Sequence, residues 1–150
     1  EGQSEFVRLL LDYKARADMP TNMGHTPLHL AVQEGFCELA QLLLEHQASP
    51  DSATQSGHTP LTFATSKGHA DLARLLLDRR ARADASSGDG RTPLHLAAAE
   101  GHADLVRLLL DRRARASAAT KAGRTPVHLA ADRGHRELVQ LLEAHLARAA

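Results

Sequence analysis

Residues 92–102 read Thr92-Pro93-Leu94-His95-Leu96-Ala97-Ala98-Ala99-Glu100-Gly101-His102, a short helix with its start and stop signals attached. Threonine before proline is an N-cap followed by the first helical residue. Its hydroxyl accepts an orphan backbone N–H, and proline has no N–H to leave unsatisfied. About eight residues later Gly101 can take the positive φ of a helix stop without a Cβ penalty. A second helix follows in 101–113, where Leu105, Val106, Leu108 and Leu109 gather on one face and Asp104, Arg107 and Asp111 point elsewhere. From Arg113 to Gly123 the chain is rich in Ala, Ser, Thr and Gly and reads as an extended turn.

Outward from this stretch the pattern recurs every 33 residues. Thr26-Pro27-Leu28-His29, Thr59-Pro60-Leu61-Thr62 and Thr125-Pro126-Val127-His128 keep its register, so first helices are expected to start at Pro27, Pro60, Pro93 and Pro126. The same period governs Gly24, Gly57, Gly90 and Gly123, then Gly35, Gly68, Gly101 and Gly134, and the leucine triplets beginning at Leu9, Leu42, Leu75 and Leu108. The period, the T-P-L-H-x-A core, the Gly-His steps at Gly68-His69, Gly101-His102 and Gly134-His135, and the triplets resemble the ankyrin repeat over the whole chain. That resemblance implies an all-α solenoid of stacked antiparallel helix pairs with short β-hairpin or turn fingers. It also implies a non-catalytic module that binds a partner protein or peptide along the finger tips and the exposed side of the first helices.

Counting from the turn before each threonine places repeats at 21–53, 54–86 and 87–119, a C-terminal capping repeat at 120–150 and a partial repeat at 1–20. Phe6 aligns with Leu39, so the leading repeat retains only its second helix, and the array is expected to continue N-terminally in a longer parent. At the other end Glu143 replaces the third leucine, as the polar outer face of a cap requires. Two departures stand out. Where the family usually ends the second helix with glycine, this chain has Lys14, Gln47, Arg80 and Arg113; either a non-glycine residue takes the left-handed conformation, at roughly 1 kcal/mol, or the helix runs on. The second full repeat has Thr62-Phe63 where its neighbours have histidine-leucine, so Phe63 adds core volume and Thr62 loses whatever the histidine bonds to.

Composition agrees with helices. The 150 residues include 27 Ala and 25 Leu and no Ile, and only Phe6, Tyr13, Phe36 and Phe63 are aromatic, too few for base-stacking platforms or a β-sandwich core. No apolar run reaches the length of a membrane span, the acidic start does not read as a signal peptide, and the single Cys37 precludes an internal disulfide. An intracellular module in cytoplasm or nucleus, monomeric and without cofactor, is expected. Ten histidines raise a metal hypothesis. Six of them recur with the repeat, however, and equivalent residues on stacked helices lie roughly 8–10 Å apart, too far to share a zinc ion at about 2.0–2.3 Å. No nucleophile elbow, phosphate loop or dinucleotide fingerprint is present. Cys37, near a second-helix start, reads as an exposed variable position, and Asp71, Asp104 and Glu137 as acids complementing a helix dipole.

Carried over by the resemblance, the finger tips are Asn22, Met23 and His25; Gln55, Ser56 and His58; Asp89 and Arg91; Lys121 and Arg124. The helix-end positions are Gln33-Glu34, Ser66-Lys67, Glu100 and Asp132-Arg133. This surface is mixed in sign with Met23 its only large apolar group, which points to a polar, acidic partner segment, with Arg91, Arg124 and Arg133 as carboxylate anchors. A secondary basic ridge is expected from Asp78-Arg79-Arg80-Ala81-Arg82 and Asp111-Arg112-Arg113-Ala114-Arg115. Cations at helix C-termini explain it most simply, and docking of an acidic partner or of nucleic acid through the ridge is the sharper reading. A spacer between domains of a larger protein is the remaining alternative. The neutral total, 18 basic and 18 acidic residues, conceals an asymmetry: residues 1–75 carry 5 basic and 9 acidic, residues 76–150 carry 13 and 9.

Overall fold

A computed structural model describes residues 17–149. Four helix pairs follow one another: α1 (Pro27–Gln33) with α2 (Cys37–Glu45), α3 (Pro60–Lys67) with α4 (Ala70–Asp78), α5 (Pro93–Glu100) with α6 (Ala103–Asp111), and α7 (Pro126–Asp132) with α8 (Arg136–Ala149). All four first helices begin at the expected prolines, each behind a threonine with extended φ and ψ. The glycines that close them, Gly35, Gly68, Gly101 and Gly134, have φ of 76–80°. The next amide then reaches back into the finished helix, as His102 N–H does to the Ala97 carbonyl at 2.9 Å. The expected partial repeat at 1–20, with Phe6, Leu9 and Lys14, lies outside the described residues except for 17–20.

The pairs stack through their apolar stripes. Leu28, Leu61 and Leu94 of the first helices are fully buried, as are Leu72, Leu76, Leu105, Leu109 and Leu142 of the second. Each such leucine is worth about 1.5–3 kcal/mol, and all of them belong to one core cluster that runs through the four pairs. The small buried residues Ala31, Ala64, Ala97 and Ala130 let successive first helices approach closely, whereas successive second helices touch more sparsely. The stack is therefore tighter on the first-helix side, and that side with the fingers makes the inner face.

The fingers are turns, and among the described residues none is regular strand. Each is closed on itself, Thr21 N–H to the His25 carbonyl at 2.8 Å being the first case, and linked to the next by a single backbone bond. Those links are Gln55 N–H to Met23 O at 3.1 Å, Gly88 N–H to Ser56 O at 2.8 Å and Lys121 N–H to Asp89 O at 3.0 Å. One bond per junction is too little for a ladder. It does require glycine: a Cβ on Gly57 would lie 2.9 Å from the Gly88 amide nitrogen.

The second helices do not run on. Gln47, Arg80 and Arg113 take positive φ of 66°, 68° and 63°. The amides that follow, of Ala48, Ala81 and Ala114, bond back to Leu43, Leu76 and Leu109 at 2.9 Å, and these alanines are buried. Burial of the following alanine and the return bond hold a conformation that an arginine disfavours by roughly 1 kcal/mol. Arg113→Gly should accordingly raise the unfolding free energy by about 0.5–1 kcal/mol, read as a higher urea midpoint at unchanged slope. A lower midpoint would show that the arginine side chain contributes more than its backbone costs.

Candidate interaction surface

The histidines of the first helices are structural, and their geometry defines their protonation. Thr26 donates to His29 Nδ1 both from its backbone N–H, at 3.1 Å, and from its hydroxyl, at 2.9 Å. A ring nitrogen that accepts an N–H carries no proton, so the proton sits on Nε2, which donates to the His58 carbonyl in the next finger at 3.1 Å. Thr92, His95 and the Arg124 carbonyl repeat the relay at 3.2, 2.9 and 3.0 Å. Burial holds both imidazoles below the ordinary histidine value of 6.5. Thr125 and His128 form the same box at the last pair, where His128 is exposed.

The relay fails at the second pair. Thr62 turns its hydroxyl onto the Thr59 carbonyl at 2.6 Å, and the Thr59 hydroxyl is left buried without a partner. The Arg91 carbonyl, the counterpart of those of His58 and Arg124, keeps the bond within its own finger, from Ser87 N–H at 2.8 Å, and receives none from α3. The Ser87 hydroxyl donates its proton to Asp89 at 2.5 Å and holds that carboxyl below the usual range.

The second histidine column works by shape. His69, His102 and His135 lie over Gly35, Gly68 and Gly101 of the preceding pair, and a Cβ on Gly101 would sit 2.6 Å from His135 Cε1. His135 Nε2 bonds to the Ala99 carbonyl at 3.0 Å and His69 to that of Gln33 at 3.4 Å, whereas His102 Nε2 is buried with no partner. Among the described residues no group of three metal-ligating side chains converges. Cys37 is exposed at the start of α2.

The expected partner-facing residues lie on the fingers and the ends of the first helices, as anticipated, but their environments differ. Met23 is exposed at a tip, and Glu34, Lys67, Asp89, Arg91, Glu100, Asp132 and Arg133 are also exposed. Gln33 is half-buried and donates to Glu34 at 3.1 Å. His25 and His58 are half-buried too, because both rings pack edge-on against Phe63, with centroids 5.7 and 6.1 Å away. The three arginines expected to grip a partner's carboxylates already hold some. Arg91 pairs with Asp89 at 3.1 Å, Arg124 with Asp132, and Arg133 with Glu100 at 3.7 Å. Such exposed pairs are worth roughly 0–1 kcal/mol, so a partner's carboxylate can exchange into them.

Met23 is not the only large apolar group on this surface. Leu30 is 46% exposed, and Phe63 and Leu96, one and two repeats further, stay half-buried. The column 30, 63, 96 follows each T-P-x-H position directly. Phe63 does add core volume, packing against the core cluster while part of its ring stays open on this surface. The 33-residue spacing of Leu30, Phe63 and Leu96 was the available signal.

The basic ridge is partly neutralised. Arg112 binds Asp78 of the preceding pair at 2.8 Å rather than the Asp111 beside it, and Arg115 lies 3.6 Å from Asp84. The backbone amides of Arg82 and Arg115 donate to Asp51 and Asp84 at 2.8 and 2.9 Å, tying each extended turn to the one before. Among the described residues, the guanidinium groups of Arg79, Arg80, Arg82 and Arg113 form no ion pair, in contrast to those of Arg112 and Arg115.

A solenoid of helix pairs linked by turn fingers, with periodic histidine boxes between the pairs, defines a repeat-protein scaffold. The family model described as ankyrin repeats (3 copies) matches residues 1–54, 47–119 and 80–148. The chain belongs to the ankyrin-repeat family, whose members are generally protein–protein interaction modules and typically non-enzymatic. No curated protein matches the chain. Among the described residues, no helix is long and apolar enough to cross a membrane.

Two outcomes follow from the relay. Because these two rings bind protons more readily in the unfolded chain than in the folded one, the stability they contribute is fully present above pH 6.5 and is lost as pH falls from there through their lowered folded values. The urea midpoint should drop between pH 7.5 and pH 5, and 15N shifts should show His29 and His95 as Nε2–H tautomers at neutral pH; a protonated Nδ1 would contradict the relay. Thr62→His should give the Thr59 hydroxyl a partner and reach the Arg91 carbonyl, raising stability by about 1–2 kcal/mol in the same assay.

Proposed function

We propose that the chain is a non-catalytic binding module that holds a partner protein or peptide against its finger tips and inner first-helix face. The repeats are taken as 21–53, 54–86, 87–119 and the cap 120–150, following an incomplete repeat at 1–20. The contact surface comprises Met23, His25, Gln33, Glu34, His58, Lys67, Asp89, Arg91, Glu100, Arg124, Asp132 and Arg133. One observation carries the reading. The leucines that stack the repeats are buried, whereas Leu30, Phe63 and Leu96 of the first helices remain only partly covered beside exposed charged residues. A face that combines apolar positions with exchangeable ion pairs has the make-up of a protein interface, an apolar centre within a polar rim.

The exposed arginines favour an acidic partner, and the module acts as a monomer in the cytoplasm or nucleus without a cofactor. Capture from cell lysate with identification of bound proteins tests this reading. The combined Arg91→Ala, Arg124→Ala and Arg133→Ala variant should lose captured protein while its thermal midpoint moves by only a few degrees. Reversal of Arg79, Arg80, Arg112 and Arg113 to Glu should leave capture intact. Loss of capture in the reversal variant alone would move the binding site to the ridge, and capture that neither variant alters would remove both surfaces.

A further inference from the structure

The repeat pattern breaks at one place on the inner face, and a pocket opens there. Between α3 and α5, His58, Thr62, Phe63, Ser66 and Leu96 line a cavity of about 150 Å3 with mostly apolar walls. Where the relay is intact, a buried histidine spans the gap between one helix start and the next finger, as His95 does from Thr92 to the Arg124 carbonyl. Thr62 is too short to span it and folds back onto its own helix. Phe63, where the other pairs have leucine, supplies an aromatic wall held edge-on by the rings of His25, His29 and His58 at 5.5–6.1 Å. Both departures from the repeat therefore line one cavity.

We infer that this pocket receives a single leucine- or phenylalanine-sized side chain from a short acidic segment of a partner protein. The inference rests on the interaction reading above and names the partner's chemistry. Size supports it, since a cavity of about 150 Å3 with aliphatic and aromatic walls accommodates a benzene-sized group. Charge supports the acidic flanks. Lys67, next to Ser66 at the end of α3, is exposed and pairs with no carboxylate among the described residues. Arg91, on the adjoining finger, holds only the exposed Asp89, and the carboxylate of Glu100 at the end of α5 is engaged by Arg133. The rim thus leaves uncompensated positive charge beside an apolar hole.

A random-peptide display selection on the 150-residue chain, followed by fluorescence anisotropy of the selected peptides, tests the inference. Selected peptides should share one Leu, Phe or Met flanked by Asp or Glu, and alanine at the shared position should weaken binding by roughly tenfold or more. Thr62→His, which fills the pocket as the other repeats do, should weaken binding as much while raising the unfolding midpoint. Ser66→Leu, at an exposed lining position, closes the pocket without altering a buried side chain and should have the same effect on binding. Failure to enrich any peptide, enrichment without a shared apolar residue, or unchanged affinity in both pocket variants would overturn the inference. If the pocket variants still capture the lysate protein that the triple arginine variant loses, the pocket is no subsite and the interaction reading stands.

Discussion

No helix pair in this chain can bury its own leucines, and the remainder of the structure depends on that constraint. A helix of seven to nine residues is too short to be stable alone in water. Its apolar stripe becomes a core only when the next pair covers it. The stack must therefore be held in register at every junction; a backbone bond from finger to finger does so at all three, and the neutral imidazoles of His29 and His95 add directional bonds at two of them. Burial of those rings follows from the same requirement. A ring that must accept on one nitrogen and donate from the other works only when uncharged, so a dry environment and the bonding pattern select the same protonation state.

Shape reinforces these bonds. Gly35, Gly68 and Gly101 serve two purposes, ending a helix at positive φ and leaving space for the histidine ring of the next pair. The finger glycines Gly24, Gly57 and Gly90 likewise combine positive φ with a neighbouring backbone about 3 Å from where a Cβ would be. By contrast, Gln47, Arg80 and Arg113 meet no such obligation of close approach that the chain enforces with glycine. Their left-handed conformation is sustained by the buried alanine and return bond that follow each of them.

The second helix pair shows how a periodic scaffold acquires a local feature. Replacing one histidine by Thr62 removes a bond to the next finger, orphans the Thr59 hydroxyl and leaves a cavity. The link from α3 to the Arg91 carbonyl is not replaced, and the junction keeps the finger-to-finger bond from Gly88 N–H to the Ser56 carbonyl. Phe63 then presents an aromatic face where the neighbouring repeats have leucine, and three histidine rings fix its orientation. Stability is lowered at the position where the inner surface departs from its repeat.

The sequence by itself determined the period, the helix starts at threonine-proline, the glycine stops, the short first and longer second helices and the structural character of the histidines. Each of these follows from local rules of capping, conformation and spacing that a residue obeys wherever its repeat is placed. Only the tertiary structure decided which surfaces are available. Arg91, Arg124 and Arg133 are drawn into pairs with carboxylates up to 33 residues away, Arg112 crosses to Asp78 rather than Asp111, and Leu30, Phe63 and Leu96 stay only partly covered, Phe63 while also packing against the core. Exposure and pairing depend on what the adjacent repeat brings alongside, and a 33-residue pattern records which residues recur without recording what they meet.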